Sequence, residues 1–270
     1  MTKIAETFAT LNAKNEHALI GYAVAGYPDS DTTLDVIKAM VNGGVDMVEL
    51  GIPFSDPIAD GPTIQKASYG ALQKGITPSN ALNIAKEISN SLAVPLTIMT
   101  YCNLLYRPGF DSFLKDAKSK GIDGLIVPDL NVEESFEFKK YASKYDLDTI
   151  FLVSPNTSER RLRLIVNATS GFLYLVSVFG TTGERKVFEE YTAKAIRRVK
   201  TFSKGKVPLA VGFGVSKSEH VEFMLNNGAD AIIVGSAFIN LIDQNNGQGT
   251  MNRIEELVRS LKSATSKKVE

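Results

Sequence analysis

Carboxylates mark the stretch Glu49-Leu50-Gly51-Ile52-Pro53-Phe54-Ser55-Asp56-Pro57-Ile58-Ala59-Asp60-Gly61-Pro62. Glu49 lies near the end of an apolar run, Val45-Asp46-Met47-Val48-Glu49-Leu50, that reads as a strand. Side chains alternate along a strand, so Val45, Met47 and Glu49 fall on one face. If that face met a helix layer, the carboxylate would be buried without evident compensation. If it points inward, Glu49 sits at the strand end where ligands of parallel α/β proteins bind. Apolar surroundings there raise a carboxyl pKa and let the group give and take a proton near neutral pH. A glutamate paired with a buried Lys or Arg would leave the same trace in the sequence. Asp56 and Asp60 follow in Asp-Pro and Asp-Gly pairs, which are also ordinary turn chemistry. Their density after Glu49, in a loop stiffened by Pro53, Pro57 and Pro62, favours chemistry.

A second candidate function is anion binding. Val211-Gly212-Phe213-Gly214-Val215 and Val234-Gly235-Ser236-Ala237 are glycine clusters that each follow an apolar run. Glycines let backbone N–H groups approach phosphate oxygens, and a helix N-terminus favours the negative charge. Tight turns alone would also use such glycines. Ser216 and Glu219 have the spacing of a helix capping box. Gly180-Thr181-Thr182-Gly183, followed by charged residues, reads equally as a mobile lid or an inert surface loop. His17 precedes a strand and His220 opens a helix, so neither is a good catalyst. No Cys/His cluster suggests a metal site. Neither a Gly-x-Ser-x-Gly elbow nor a Gly-x-x-x-x-Gly-Lys loop is present. Lysines fall mostly on helical stretches, leaving no evident Schiff-base carrier.

The elements that must position these groups show in a weak internal repeat. Gly44-Val45-Asp46, Gly121-Ile122-Asp123 and Gly228-Ala229-Asp230 each lead into an apolar run. Each follows a helix-like stretch: Leu34 to Asn42, Phe113 to Lys120 and His220 to Asn227. Glycine in the left-handed conformation ends the helix, and the run that follows reads as a strand buried on both faces. Five further runs, Leu19 to Ala25, Pro95 to Thr100, Thr149 to Val153, Phe172 to Val176 and Val207 to Val211, bring the strands to eight. Alternation of eight strands with helices, with no linker between them, points to one closed (β/α)8 TIM barrel over residues 1–270. Its core is expected over about 17–262, with a fraying tail over 263–270. In a barrel, the glycine clusters fall after strands seven and eight, a common phosphate site.

Length and composition fit that reading. The chain has 270 residues, 44% of them hydrophobic, and single α/β barrels often run to ~250 residues. Thirty basic and thirty acidic residues balance to a net charge of +0. No broad positive field therefore draws nucleic acid or an anionic membrane. Cys102 is the only cysteine, which excludes an intrachain disulfide and suits a reducing compartment. Charges at Lys3, Glu6 and Lys14 argue against a signal peptide, and no apolar run reaches the ~20 residues of a membrane span. A cytoplasmic location is expected.

The residues taken together resemble one family. Glu49 to Gln65 closely resembles the signature of the tryptophan synthase alpha subunit. Met99-Thr100-Tyr101-Cys102-Asn103, Val127-Pro128-Asp129-Leu130, Gly180-Thr181-Thr182-Gly183 and Val211-Gly212-Phe213-Gly214-Val215-Ser216 resemble it in the same order. The resemblance implies retro-aldol cleavage of indole-3-glycerol phosphate to indole and glyceraldehyde 3-phosphate. It implies Glu49 as general acid/base and Asp60 as the carboxylate that holds the indole N–H. It implies phosphate binding by Gly183, Gly212, Phe213, Gly214, Gly235 and Ser236. Tyr22, Thr100, Leu125, Val127 and Tyr174 would line the indole pocket, with Ile64 at its mouth. The implied partner is a beta subunit, in an alpha2beta2-type complex, that takes up indole through a tunnel. That partner would carry pyridoxal phosphate, and this chain would hold no cofactor. Loops around Asp56 and Thr182 would close on contact with it. Asn131, Val178 and Tyr22 depart from the more familiar bacterial pattern without removing a catalytic group. Another phosphate-binding barrel enzyme, a barrel that mainly activates its partner, and a stand-alone indole-releasing lyase remain as alternatives.

Overall fold

A computed structural model describes residues 1–176, 185–212, 214–244 and 249–266. Its strands are β1 (Ala18–Val24), β2 (Met47–Gly51), β3 (Leu96–Met99), β4 (Gly124–Ile126), β5 (Asp148–Ile150), β6 (Leu152–Val153), β7 (Leu173–Val176), β8 (Leu209–Gly212) and β9 (Ala231–Val234). Its helices are α1 (Lys3–Ala13), α2 (Ser30–Gly43), α3 (Pro62–Gln73), α4 (Pro78–Ser91), α5 (Cys102–Tyr106), α6 (Phe110–Ser119), α7 (Phe136–Lys144), α8 (Glu159–Ala168), α9 (Arg185–Ser203), α10 (Ser218–Asn226), α11 (Ser236–Gln244) and α12 (Thr250–Ser263). All pair in parallel, in the order β5-β4-β3-β2-β1-β9-β8-β7-β6. β5 and β6 are two pieces of one stave interrupted at Phe151. Because β5 pairs with β4 and β6 with β7, the two sheet edges are consecutive in the chain and the barrel closes. The run expected over Thr149 to Val153 is this broken stave.

Two apolar cores follow from strand alternation. Ile20, Met47, Met99, Ile126, Ile150, Phe172, Ala210 and Ile233 pack together inside the barrel. Leu19, Val48, Leu50, Ile98, Leu125, Leu173, Val211 and Ile232 face out to the helices. Val45 precedes β2 and packs in this outer core, so it does not share the inward face of Met47 and Glu49. The core also begins earlier than residue 17. Helix α1 (Lys3–Ala13) carries Ile4, wholly buried, into the inner cluster, so the barrel's N-terminal mouth is plugged.

The Gly-x-Asp repeat has a structural meaning that periodicity did not reveal. Gly44, Gly121 and Gly228 take the left-handed conformation, with φ of 112°, 78° and 109°. Gly44 thereby ends α2 (Ser30–Gly43). Each aspartate then brackets the start of the preceding strand. Asp46 donates its N–H to the Leu19 carbonyl and accepts the Leu19 N–H on Oδ2 at 2.7 Å. Asp123 does the same with Leu96 at 3.0 Å, and Asp230 with Leu209 at 2.7 Å. A lysine pairs with each carboxylate: Lys262, Lys3 and Lys200.

The last described segment, through Ser266, is anchored. Helix α12 (Thr250–Ser263) packs on α2, where a Cβ on Gly43 would meet Val258 Cβ at 2.6 Å. His17 N–H donates to the Thr265 carbonyl, and Ser266 bridges to Glu16. The fraying expected from residue 263 therefore does not apply through Ser266, and residues 267–270 lie outside the described ones. The capping box at Ser216 and Glu219 is also not formed. Helix α10 (Ser218–Asn226) starts later, because the chain stays extended through Lys217, its N-cap, with no side-chain cap.

Candidate active site

Glu49 is opposite Tyr22 of β1 and Thr97 of β3 in the parallel register. Those neighbours share its inward direction, so the carboxylate points into the barrel near the C-terminal strand ends. It is fully buried, and neither oxygen has a hydrogen-bond partner among the described residues. Burial, and then the negative charge of Asp60, push its pKa from 4.5 to about 8. Among the described residues no Lys or Arg pairs with it, so the reading as an ion-paired core glutamate finds no partner there.

Asp60 lies in the loop between β2 and α3 (Pro62–Gln73). Its carboxylate accepts the Tyr101 hydroxyl at 3.0 Å, and that hydroxyl accepts the Ala59 N–H at 3.2 Å. Tyr101 stacks on Phe54 with ring centroids 4.9 Å apart, so the end of β3 holds both sides of this loop. Gln65 Nε2 adds a bond to the Asp60 carbonyl at 2.8 Å. Burial raises Asp60 to about 6, against the lowering effect of the Tyr101 O–H. Near neutral pH the site thus holds a protonated Glu49 and an ionised Asp60. Their environments, and not their residue types, separate acid from anion.

Both carboxylates line a cavity of about 380 Å³. Gly212, Gly214, Gly235 and Ser236 line it too, as do Tyr22, Ile64 and Tyr174. Ser236 is the first residue of α11 (Ser236–Gln244), so a helix N-terminus faces the cavity. Two of the glycines have a reason beyond anion binding. A Cβ on Gly235 would meet the Tyr22 ring at 2.9 Å, and one on Gly212 would meet the Tyr174 ring at 2.8 Å. Gly214 differs: its φ is +46°, and none of the described residues beyond its chain neighbours lies within 4 Å of where a Cβ would be.

Three expected pocket residues are not at the cavity. Glu49 aligns with Thr97, so Thr97 and Met99 point inward while Ile98 and Thr100 alternate outward. Met99 aligns with Ile126, which turns Leu125 and Val127 toward the helices. Thr100, Leu125 and Val127 were thus expected one residue out of phase. Met99, Leu152, Val176 and Ile233 line the cavity in their place. The register of β3 against β2, and not alternation alone, brings Met99 to the cavity. Asp56 is exposed on the loop tip, where it accepts the Ser55 hydroxyl. Thr182, Gly183 and Phe213 lie outside the described residues. No group of three His, Cys, Asp or Glu able to hold a metal occurs among the described residues.

The family model for the tryptophan synthase alpha chain matches residues 8–266. The chain belongs to the tryptophan synthase alpha chain family. It is 46% identical over 261 residues to the alpha chain of Methanosarcina acetivorans, covering 97% of this chain and 93% of that one. Tryptophan synthase of Mycobacterium tuberculosis is 33% identical and superimposes with a TM-score of 0.89 over 99% of both chains. A chain of the tryptophan synthase complex of Pyrococcus furiosus, 40% identical, superimposes at 0.83 over 92% of this chain and 98% of that one. As a member of that family, the chain is an enzyme of tryptophan biosynthesis, and the family's enzymes are lyases. No described helix is long and apolar enough to cross a membrane.

Proposed function

We propose that the chain cleaves indole-3-glycerol phosphate to indole and glyceraldehyde 3-phosphate. The observation that carries this reading is Glu49, a buried carboxyl with no hydrogen-bond partner among the described residues, facing a cavity whose other parts suit the two ends of that substrate. The acid form of Glu49 gives its proton to the indole carbon that bears the side chain. The ring becomes cationic, and ionised Asp60 accepts the indole N–H and stabilises that charge. Glu49, now a carboxylate, takes the proton of the adjacent glycerol hydroxyl. The carbon–carbon bond breaks, its electron pair returns to the ring, and the hydroxyl carbon becomes the aldehyde. Glu49 ends protonated, ready for another turnover. Tyr22, Ile64, Met99 and Tyr174 supply apolar surface for the ring. Gly212, Gly214, Gly235 and Ser236 suit the phosphate, through backbone N–H groups and the dipole of α11. Gly183 and Phe213 belong to the same phosphate reading, and Asp56 and Thr182 to loops that close on a partner.

On this reading a beta subunit receives the indole and carries the pyridoxal phosphate of tryptophan synthesis, and the complex works in the cytoplasm. The test is indole release from indole-3-glycerol phosphate, with and without a beta subunit, beside Glu49→Gln. Release that rises with the partner and disappears in the variant is expected. Substrate binding with no release under either condition would mean a subunit that only activates its partner. Absence of both would overturn the assignment.

A further inference from the structure

Three polar side chains from separate elements meet where α3 and α11 pack together. Tyr27 follows β1, Lys66 lies near the start of α3, and Asp243 lies in the last turn of α11. Asp243 accepts the Tyr27 hydroxyl and pairs with Lys66 Nζ at 2.5 Å. The Tyr27 ring lies against α3 at Gly70, where a Cβ would meet its Cε2 at 3.0 Å. Under this cluster, Ala67 and Ala71 of α3 and Ile239 of α11 are buried in the inner core. Alanines present a smooth surface. They bring two helices close but offer little to stop one sliding along the other.

These helices carry the two ends of the cavity. The first turn of α3 contributes Pro62, Thr63 and Ile64 beside Asp60, and the start of α11 contributes Ser236 next to Gly235. We propose that Tyr27, Lys66 and Asp243 are positioning residues that staple α3 to α11 and so set the span between the carboxylate end and the phosphate end of the site. The inference rests on reading Gly235 and Ser236 as part of the phosphate site. A ligand bound at one end does not sense the span. A substrate anchored at both ends does, because a small misplacement of one anchor takes the reacting atoms away from Glu49. Asp243 suits the role because one carboxylate, with its side chain 21% exposed, takes charge-assisted contacts from two other elements.

The experiment compares the full chain with Tyr27→Phe, Asp243→Asn and Lys66→Arg. It measures kcat and KM for indole-3-glycerol phosphate, and Kd for two ligands that each fill one end, indole and glycerol 3-phosphate. Tyr27→Phe keeps the ring against Gly70, so it tests the hydroxyl in a folded protein. In Tyr27→Phe and Asp243→Asn, kcat/KM should fall about fivefold while each one-end Kd stays within about twofold; Lys66→Arg, which keeps the pair, should stay close to wild type. Unchanged kcat/KM in Tyr27→Phe and Asp243→Asn would overturn the staple. So would equal losses for the whole substrate and its one-end ligands, since that pattern is general loosening. If the wild-type chain does not bind glycerol 3-phosphate, the phosphate reading itself fails and takes the staple with it.

Discussion

Replacing Glu49 by glutamine should abolish the lyase reaction and at the same time stabilise the fold in a pH-dependent way. The amide keeps the shape of the carboxyl but does not titrate. In the wild-type fold, burial first and Asp60 second raise Glu49 from 4.5 to about 8, whereas the unfolded chain ionises at the ordinary value. Between those two values the folded state keeps a proton that the unfolded state has lost. Wild-type stability therefore falls as pH rises through this window. At about 1.4 kcal/mol per pH unit, the cost is roughly 1 kcal/mol at pH 5 and roughly 3 kcal/mol at pH 7, levelling near about 5 kcal/mol above pH 8. Glutamine carries no such cost. The stability difference between variant and wild type should thus grow by roughly 4 kcal/mol from pH 5 to pH 8.5. Urea unfolding of both proteins at matched pH measures it, because other titrating groups, Asp60 included, then largely cancel. A constant offset from repacking the amide does not affect the slope. A difference that stays flat from pH 5 to pH 8.5 would mean that Glu49 ionises freely inside the fold. The acid role argued from its burial would then be wrong.

Two further outcomes follow from the same geometry. Turnover needs Asp60 ionised and Glu49 protonated, so kcat/KM should rise through about pH 6 and fall through about pH 8. Tyr101→Phe removes the O–H that lowers Asp60, so its pH–rate profile should show the acid limb moved toward neutrality; an unmoved limb would detach Asp60 from it. At the opposite face, Asp46→Ala deprives the Leu19 N–H of its acceptor and Lys262 of its nearer partner. It should lower stability by about 2–4 kcal/mol in urea unfolding, with kcat per folded molecule unchanged. Asp35→Ala, which breaks an exposed pair with Lys38, serves as the control and should cost under about 1 kcal/mol. Equal costs for the two would refute the bracket.

Much of the site's character was legible along the chain. Glu49 could be aimed inward from its place in one short strand, because a buried charge facing the helices would have had nothing to offset it. The glycine clusters and their order after the last two strands were equally visible, since both are local features. Only the folded chain revealed what the Gly-x-Asp aspartates do. Asp46 and Leu19 are 27 residues apart, as are Asp123 and Leu96, and no periodicity reports a partner at that distance.

Phase was the other limit. Alternation says that neighbours on a strand face opposite ways, but not which of them faces the cavity. Thr100, Leu125 and Val127 failed on that point. Their direction depends on how β3 and β4 register against β2, which barrel closure decides. The same holds for Asp60. Its loop position follows from the sequence, whereas its burial and its bond to Tyr101, 41 residues on, exist only once β3 lies beside β2. Residue order alone thus determined the alternating elements, the inward glutamate and the glycines after the final strands. Tertiary structure decided which side chains share the cavity and which carboxyl keeps its proton. Register, burial and charge proximity are relations between distant segments, and they arise only when the barrel closes.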